Sequence, residues 1–292
     1  ELIQTIEPLT RSEFKVWKLD QEINERGIPL DREGITQAIQ LAERSAGRYE
    51  TELSEVTGGA VQTPSQVAKL TEWLQGNGCP ISSLGKDIVE ETLQKEIPDQ
   101  CRKALEIRSL AAKSSVKKLS SMLARCDADG RVRENLVYHG AGPGRWTGSG
   151  MQIQNFPRGK LSRTEVRLVL EMLEEGRPAE DFALIIDSPL ECLSSSLRAF
   201  IKAEDEKTLL VSDFASIEAR VLAWLAGQDD LLDLFATGGT IYEDMAGEIY
   251  SVPAEDIAKG SEQRNVGKAA VLGCGHGVGA KAFQADCRKK EI

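Results

Sequence analysis

The stretch VSDFASIEARVLAWLAG at residues 211–227 carries the clearest signal for the fold. At its start, the run TLLVS at 208–212 is apolar and bounded by charged residues, a pattern that predicts a short buried strand. Apolar side chains then recur at helical spacing, at Ile217, Val221, Trp224 and Leu225. A buried strand that leads directly into an amphipathic helix is therefore expected here.

Asp213 lies at the predicted junction of this strand and helix. A strand fixes the backbone, so its carboxylate would project into the crevice beyond the strand end and can bind a metal ion there. Aspartate is also a preferred residue at helix starts. Asp213 is thus a candidate metal ligand, and a helix cap is the alternative.

A second motif is QRNVGKAAVLGCGHGVG at residues 263–279. Arg264, Lys268, Leu272 and His276 follow one another at intervals of four and share one face of a helix that extends so far. Two cations one turn apart, with no matched acid between them, would suit a triphosphate. Neither a phosphate-binding G-x-x-x-x-G-K-[ST] loop nor a G-x-G-x-x-G dinucleotide loop is present in this stretch.

Two further segments could contact nucleic acid. The polar, glycine-rich GRWTGSGMQIQNFPRG at 144–159 holds Arg145, Gln154 and Asn155, which suit the acceptors of the DNA minor groove; a surface loop is the alternative. The segment 101–125 has a net charge of +6 and places Lys113 and Lys117 one helical turn apart. It predicts either a helix that follows a phosphate backbone or a solvated helix face.

Composition limits the remaining possibilities. The 292 residues suit two domains, and 41% hydrophobic with 28% charged residues is typical of a globular chain. The net charge of −10 excludes binding of nucleic acid by bulk charge alone, so any positive surface must be local or bridged by metal. Six scattered cysteines and two histidines make a structural zinc site improbable and indicate a reducing cytoplasm. No apolar run reaches membrane-spanning length.

In this order, the motifs resemble those of the family A (DNA polymerase I-like) DNA polymerases. Residues 213–220 resemble motif A, D-Y-S-Q-I-E-x-R, and residues 264–277 resemble motif B, R-x-x-x-K-x-x-x-F/Y-G-x-x-Y-G. Residues 144–158 are similar to T-G-R-L-S-S…N-L-Q-N-I-P, and INERGIPLD at 23–31 is similar to the passage before the thumb. Details such as R-x-x-G-K and the insertion at 160–193 resemble phage members.

The resemblance implies a mostly helical α+β chain, a fragment of a right-hand polymerase with a helical thumb, a partial antiparallel palm sheet and fingers helices. The implied domains are a lead-in at 1–30, the thumb at 31–127, the first part of the palm at 128–215 with a helical insertion at about 160–193, and the fingers at 216–292 up to the nucleotide-binding helix.

The resemblance also implies roles for the motif residues. Asp213 and the backbone carbonyl of Phe214 would bind two Mg²⁺ ions, for which Mn²⁺ can substitute, and Glu218 would exclude a ribose 2′ hydroxyl. Arg264 and Lys268 would bind the triphosphate, and Lys268 would also protonate the leaving pyrophosphate.

Other positions are carried over in the same way. Tyr242 stands where the family often has a phosphate-binding histidine, and Leu272 and His276 replace two aromatic residues near the incoming nucleotide. Arg145, Gln154 and Asn155 match primer-template contacts, and the helix with Lys113 and Lys117 would lie in the thumb.

The implied protein is a monomer that binds primer-template DNA and deoxynucleoside triphosphates, without a membrane, in the cytoplasm of a phage host. Motif C, the H-D-E turn with a second metal-binding aspartate, has no match, so we expect a fragment that is inactive alone. Two alternatives remain: a non-catalytic DNA-binding module derived from a polymerase, and a relative of single-subunit RNA polymerases, which Glu218 disfavours.

Overall fold

The computed structural model describes residues 8–111, 116–186, 188–275 and 277–289. It divides into two compact units, Glu1–Leu209 and Leu210–Ile292. The predicted domain boundaries at 30, 127 and 215 remain predictions.

Helices dominate the first unit. Its α-helices are α1 (Arg11–Arg26), α2 (Arg32–Val56), α3 (Val67–Gly76), α4 (Lys86–Leu93), α5 (Asp99–Ala111), α6 (Lys117–Ala124), α7 (Arg163–Glu174), α8 (Ala179–Ala183) and α9 (Pro189–Ser196). Short strands β1 (Ile28–Pro29), β2 (Arg131–Val132), β3 (Leu136–Val137) and β4 (Thr147–Gly148) and 3₁₀ turns at Ile153–Asn155 and Leu197–Phe200 complete it.

The core of this unit surrounds α2. One face of that 25-residue helix buries Ile35, Leu41 and Leu53 completely, against α5, α6, α7 and α9. Asp31 caps the helix by accepting a hydrogen bond from Gly34 N. The remaining faces are polar, so this helix is amphipathic. The polar sequence 32–56, which Gly58-Gly59 follows, predicts a long helix of this extent.

Two small antiparallel sheets flank the helices. Ile28 pairs with Val132 and Pro29 with Arg131 in one, and Leu136 pairs with Gly148 and Val137 with Thr147 in the other. Asn24 fastens α1 to β3, because its side chain both donates to the Leu136 carbonyl and accepts from the Leu136 amide. Gly27 ends α1 with φ +67°, as the predicted helix stop requires.

The second unit is formed by α10 (Ile217–Ala226), α11 (Asp229–Ala236), α12 (Ile241–Tyr250), a 3₁₀ turn (Ala254–Asp256), α13 (Glu262–Gly275) and α14 (Ala280–Lys289). The helices α12 and α13 pack closely, α10 contacts α11 and α13, and α14 contacts α13. The chain is thus mostly helical with small antiparallel sheets, as predicted. None of the helices formed by the described residues has the length and apolar character needed to cross a membrane.

Two local predictions need correction. Residues 208–212 form no strand, and Leu210 and Val211 are 93% and 95% exposed, because no strand in the described ranges pairs with this segment. Thr63-Pro64-Ser65 predicts a helix that begins there, whereas the helix begins at Val67.

The helix predicted over 102–124 is described at both ends, as α5 and α6. Residues 112–115, which include Lys113, lie outside the described residues, so the continuity of this helix remains a prediction.

Two capping-box spacings, Ser162-x-x-Glu165 and Ser188-x-x-Glu191, predict helix starts in the insertion, and both helices begin there. Ser162 forms a full capping box, in which its hydroxyl accepts from Glu165 N and the Glu165 carboxylate accepts from Ser162 N. Ser188 caps α9 through Leu190 N, with Pro189 in the first turn. These caps are local features, which is why the sequence alone predicts them.

Candidate active site

The packing of α12 against α13 sets the geometry of the candidate site. Gly267 lies where the two backbones meet: a side chain there would overlap the Tyr242 carbonyl oxygen and reach within 2.9 Å of the Ala246 amide nitrogen. Only glycine permits this approach without a shift of one helix. The close approach of the two helices brings Lys268, the next residue of α13, over the start of α12.

Arg264 lies one turn earlier on α13 and is half-buried. Its Nε donates a 2.7 Å hydrogen bond to Oε1 of Glu243 on α12, which makes a charge-assisted ion pair. Burial of Glu243 is the largest single influence and opposes its ionisation. The hydrogen bond and the charge of Arg264, together with hydrogen bonding to the Glu243 backbone and to Thr240, outweigh it, so the pKa of Glu243 lies below its ordinary value. The prediction that the two cations of α13 lack a matched acid is therefore wrong.

Tyr242 contacts both cations. The Arg264 guanidinium carbon lies 5.4 Å from the centre of the Tyr242 ring, and Lys268 Nζ lies 5.9 Å from it. Both distances are in the range of cation–π attraction. Arg264, Lys268 and Tyr242, which the sequence identifies separately, thus form one cluster, and Lys268 is the exposed member.

A cleft of about 410 Å³ separates α10 from α13. Glu218 and Leu272 lie among its lining residues, with Ile217, Val221, Leu225 and Val271. The cleft is mostly apolar, with the Glu218 carboxylate as its acidic group. Two residues predicted to lie near the nucleotide sugar thus share one cleft, while His276 lies outside the described residues.

Asp213 and Phe214 lie in the exposed segment before α10. Asp213 is not the cap of this helix, since the cap position is Ser216, which makes no capping hydrogen bond with its side chain and has φ +53°. Arg220 holds the intervening turn: its Nε donates to the Ala215 carbonyl at 2.9 Å, and its guanidinium stacks on Phe235. The capping alternative for Asp213 is therefore excluded.

The donors for a metal ion are few. In the described ranges, no group of three or more His, Cys, Asp or Glu side chains could hold a metal ion. Magnesium in proteins binds one or two carboxylates together with water and substrate phosphates. Asp213 and the Phe214 carbonyl fit one edge of such a site, and the described residues do not complete it.

The predicted DNA-contacting residues lie in the first unit. Gln154 packs over Gly148 in β4, where a side chain on residue 148 would overlap it, and the exposed Arg145 precedes the same strand. Lys118 on α6 donates to the Asn155 carbonyl at 3.2 Å. Gln154 thus lies against β4 and Asn155 against α6, while Arg145 is two residues before β4.

The remaining predicted DNA contacts are the two lysines. Lys117 is exposed on α6, directly before Lys118. Lys118 also lies 5.0 Å from the centre of the Phe156 ring. Lys113 lies outside the described residues, so the spacing of the two lysines stays a prediction.

Three residues that the sequence analysis gives no role now have one. Glu243 pairs with Arg264, Arg220 fixes the turn after Asp213, and Lys118 joins α6 to the Asn155 turn. Arg220 is the last residue of the motif A stretch, so the sequence alone could have suggested a role for it. No sequence signal marks Glu243, because its partner is 21 residues away on another helix.

The family model for DNA polymerase family A matches residues 35–291. The chain belongs to this family. The DNA polymerase of Bacillus phage SP02 is 39% identical over 283 residues, which are 96% of this chain and 43% of that protein. DNA polymerase I of Aquifex aeolicus is 26% identical over 265 residues, 90% of this chain and 38% of that protein.

A solved structure has the same fold. The POL domain of Pol1 from M. smegmatis, in complex with DNA primer-template and dNTP, aligns with a TM-score of 0.65 at 19% identity, over 97% of this chain and 45% of that one. The predicted right-hand fold of family A is thereby confirmed. The chain spans less than half the length of the family A relatives described here.

Proposed function

We propose that the chain is part of a template-directed DNA polymerase that adds deoxynucleotides to a primer 3′ end in phage-type replication. The observation that carries this proposal is the cluster of Arg264, Lys268 and Tyr242 on α12 and α13 in a chain of DNA polymerase family A. The similarity to a phage DNA polymerase supports the assignment to phage-type replication. The protein acts as a monomer in the host cytoplasm.

In this proposal the cations of α13 bind the triphosphate. Arg264 offers a planar guanidinium suited to a bidentate bond with phosphate, and Lys268 offers a mobile ammonium. Lys268 is exposed and can give a proton to the pyrophosphate oxygen as it leaves. Tyr242 supports both side chains through its ring.

The cleft between α10 and α13 accepts the nucleotide sugar. Glu218 occupies the space that a ribose 2′ hydroxyl would need, so deoxynucleotides are preferred, and Leu272 gives the other wall an apolar surface. In the first unit, Arg145, Gln154 and Asn155 contact the primer-template in its minor groove. Lys113 and Lys117 contact its phosphates.

Chemistry at the primer end follows a two-metal mechanism. Bound Mg²⁺ or Mn²⁺ ions would activate the primer hydroxyl and stabilise the pyrophosphate, and Asp213 with the Phe214 carbonyl would hold part of that site. Because the described residues supply only this part, we expect the 292-residue chain alone not to extend a primer.

The deciding experiment replaces Lys268 in the full-length polymerase. Lys268→Ala should lower the rate of nucleotide addition roughly 10²–10⁴-fold and leave primer-template affinity nearly unchanged, since it removes a proton donor and a phosphate ligand. Rates come from single-turnover primer extension. Lys259→Ala, at an exposed position of the same unit, is the matched control.

Two outcomes would contradict the proposal. A loss confined to DNA affinity would move Lys268 out of the active site, and an unchanged rate of primer extension would show that Lys268 is neither the proton donor nor a needed phosphate ligand. The chain alone is assayed in parallel with Asp213→Ala. Extension that depends on Asp213 would show that this chain completes its own metal site.

A further inference from the structure

Glu243 is a buried carboxylate in the first turn of α12. Its residue is 4% exposed, and burial of a charged group is costly unless it is paired. Oε1 accepts the hydrogen bond from Arg264 Nε, whereas Oε2 is buried without a hydrogen-bond partner among the described residues. The pair with Arg264 is therefore what allows Glu243 to stay charged at this depth.

The bond leaves the phosphate-binding end of Arg264 available. A guanidinium has five N–H donors, and Glu243 takes the one on Nε. In the described part of the chain, no hydrogen bond takes up the four donors on the two terminal amino groups. These groups are the ones that make a bidentate bond with a phosphate.

Tyr242 and Glu243 hold the guanidinium from two directions. The Tyr242 ring lies 5.4 Å from the guanidinium carbon, and the Glu243 carboxylate lies at Nε. Both residues come from the start of α12, which Gly267 keeps in backbone contact with α13. The orientation of Arg264 is thus determined by a neighbouring helix before any ligand arrives.

We infer that Glu243 is a positioning residue, which orients Arg264 for the nucleotide triphosphate and does not touch the nucleotide itself. This inference rests on the proposed function, because it needs Arg264 to bind phosphate. It explains why a lysine would not serve at 264: an ammonium that gives one N–H to a carboxylate keeps two donors, but it lacks the planar fork that binds a phosphate with two parallel hydrogen bonds.

The test compares Glu243→Ala and Glu243→Gln in the full-length polymerase. Glu243→Ala should raise KM for deoxynucleotides about tenfold, the scale of one charge-assisted hydrogen bond, with a smaller effect on kcat and none on primer-template affinity. Glu243→Gln keeps an acceptor for Nε and should recover part of this loss. Glu248→Ala, at an exposed position on the same helix, is the matched control.

A merely structural role has a different signature. It would lower the fraction of active enzyme, measured by burst amplitude, and leave KM unchanged for both Glu243 variants; that result overturns the inference. The double variant Glu243→Ala/Arg264→Ala should have the KM of Arg264→Ala alone, since Glu243 acts through Arg264. Additive effects would overturn the inference as well.

Arg264→Ala separates the two proposals. If it raises KM while the Glu243 variants do not, the positioning role fails and the proposed function stands. If Arg264→Ala itself leaves KM unchanged, the proposed triphosphate site fails, and the positioning role fails with it.

Discussion

The packing inside the first unit differs in kind from the packing inside the second. In the first unit, large side chains are fully buried around α2, among them Ile35, Leu41, Leu105, Leu119 and Phe200. In the second, the buried residues include several that are small, namely Ala223, Ala246, Gly267, Ala269 and Ala270. Phe235, Ile241 and Ile257 are also buried there, but several large apolar side chains are exposed, with Phe214 at 79% and Leu225 at 70%.

The packing of the first unit mainly provides stability, whereas the packing of the second unit positions the residues of the candidate site. Burial of large apolar side chains provides most of the free energy of folding, so the first unit has its own source of stability. The second unit instead brings helix backbones close together, and this closeness places Tyr242 and Glu243 against the cations of α13. Its geometry therefore depends on small residues at the helix contact.

The largest expected effect comes from paired leucine truncations. Leu41→Ala in the first unit should lower the free energy of unfolding by about 2–5 kcal/mol, because it leaves a cavity in a packed core. Leu225→Ala in the second unit should change it by less than about 0.5 kcal/mol, because that side chain is already exposed. Urea denaturation of the 292-residue chain measures both.

Equal effects at the two positions would remove the contrast between the units. In particular, a loss at Leu225 as large as that at Leu41 would mean that the second unit buries this leucine in solution. Hydrogen exchange, read for each unit separately, assigns the loss to one unit or the other.

Two glycine-to-alanine replacements should have smaller effects on stability, and the two effects should have opposite signs. Gly267→Ala should destabilise the second unit by about 1–3 kcal/mol, since its methyl group would overlap the Tyr242 carbonyl. Gly47→Ala lies in the middle of α2 with nothing within 4 Å of the added atom, and should stabilise the first unit by about 0.5–1 kcal/mol. Thermal unfolding provides the comparison.

If Gly267→Ala is neutral, α12 and α13 do not meet as closely as described, and the contacts of Arg264 and Lys268 with Tyr242 lose their support. If Gly47→Ala destabilises, another residue packs against that face of α2.

The smallest effect is electrostatic. Replacing Lys113 and Lys117 by alanine should weaken binding of duplex DNA by the full-length protein and flatten the slope of log K against log salt by about one to two units. Fluorescence anisotropy at several salt concentrations measures that slope. An unchanged slope would favour the alternative predicted for the segment 101–125, a solvated helix face.

Sequence alone predicts the features that depend on neighbouring residues. The helix α1 with its stop at Gly27, the helix α2 and the caps at Ser162 and Ser188 follow from local spacing and capping chemistry. The motif A and motif B stretches locate Asp213, Arg264 and Lys268 by similarity. Each of these depends on residues that are close together in the chain.

Features that depend on residues far away in the chain cannot be predicted in this way. The apolar pattern at 208–212 is compatible with a strand, but a strand also needs a neighbour for its hydrogen bonds, and the pattern holds no information about that neighbour. Likewise, the partner of Arg264 is determined by how α12 packs on α13. Glu243 becomes visible only when both helices are in place.

The backbone contact at Gly267 has a consequence for motion. Two helices separated by long side chains can slide past each other as rotamers change, whereas helices in direct backbone contact have no such slack. Any rotation of α13 must therefore carry α12 with it, together with Tyr242 and Glu243. The two helices therefore move as one rigid body, and Arg264 and Lys268 keep their orientation relative to Tyr242 and Glu243 during such a motion.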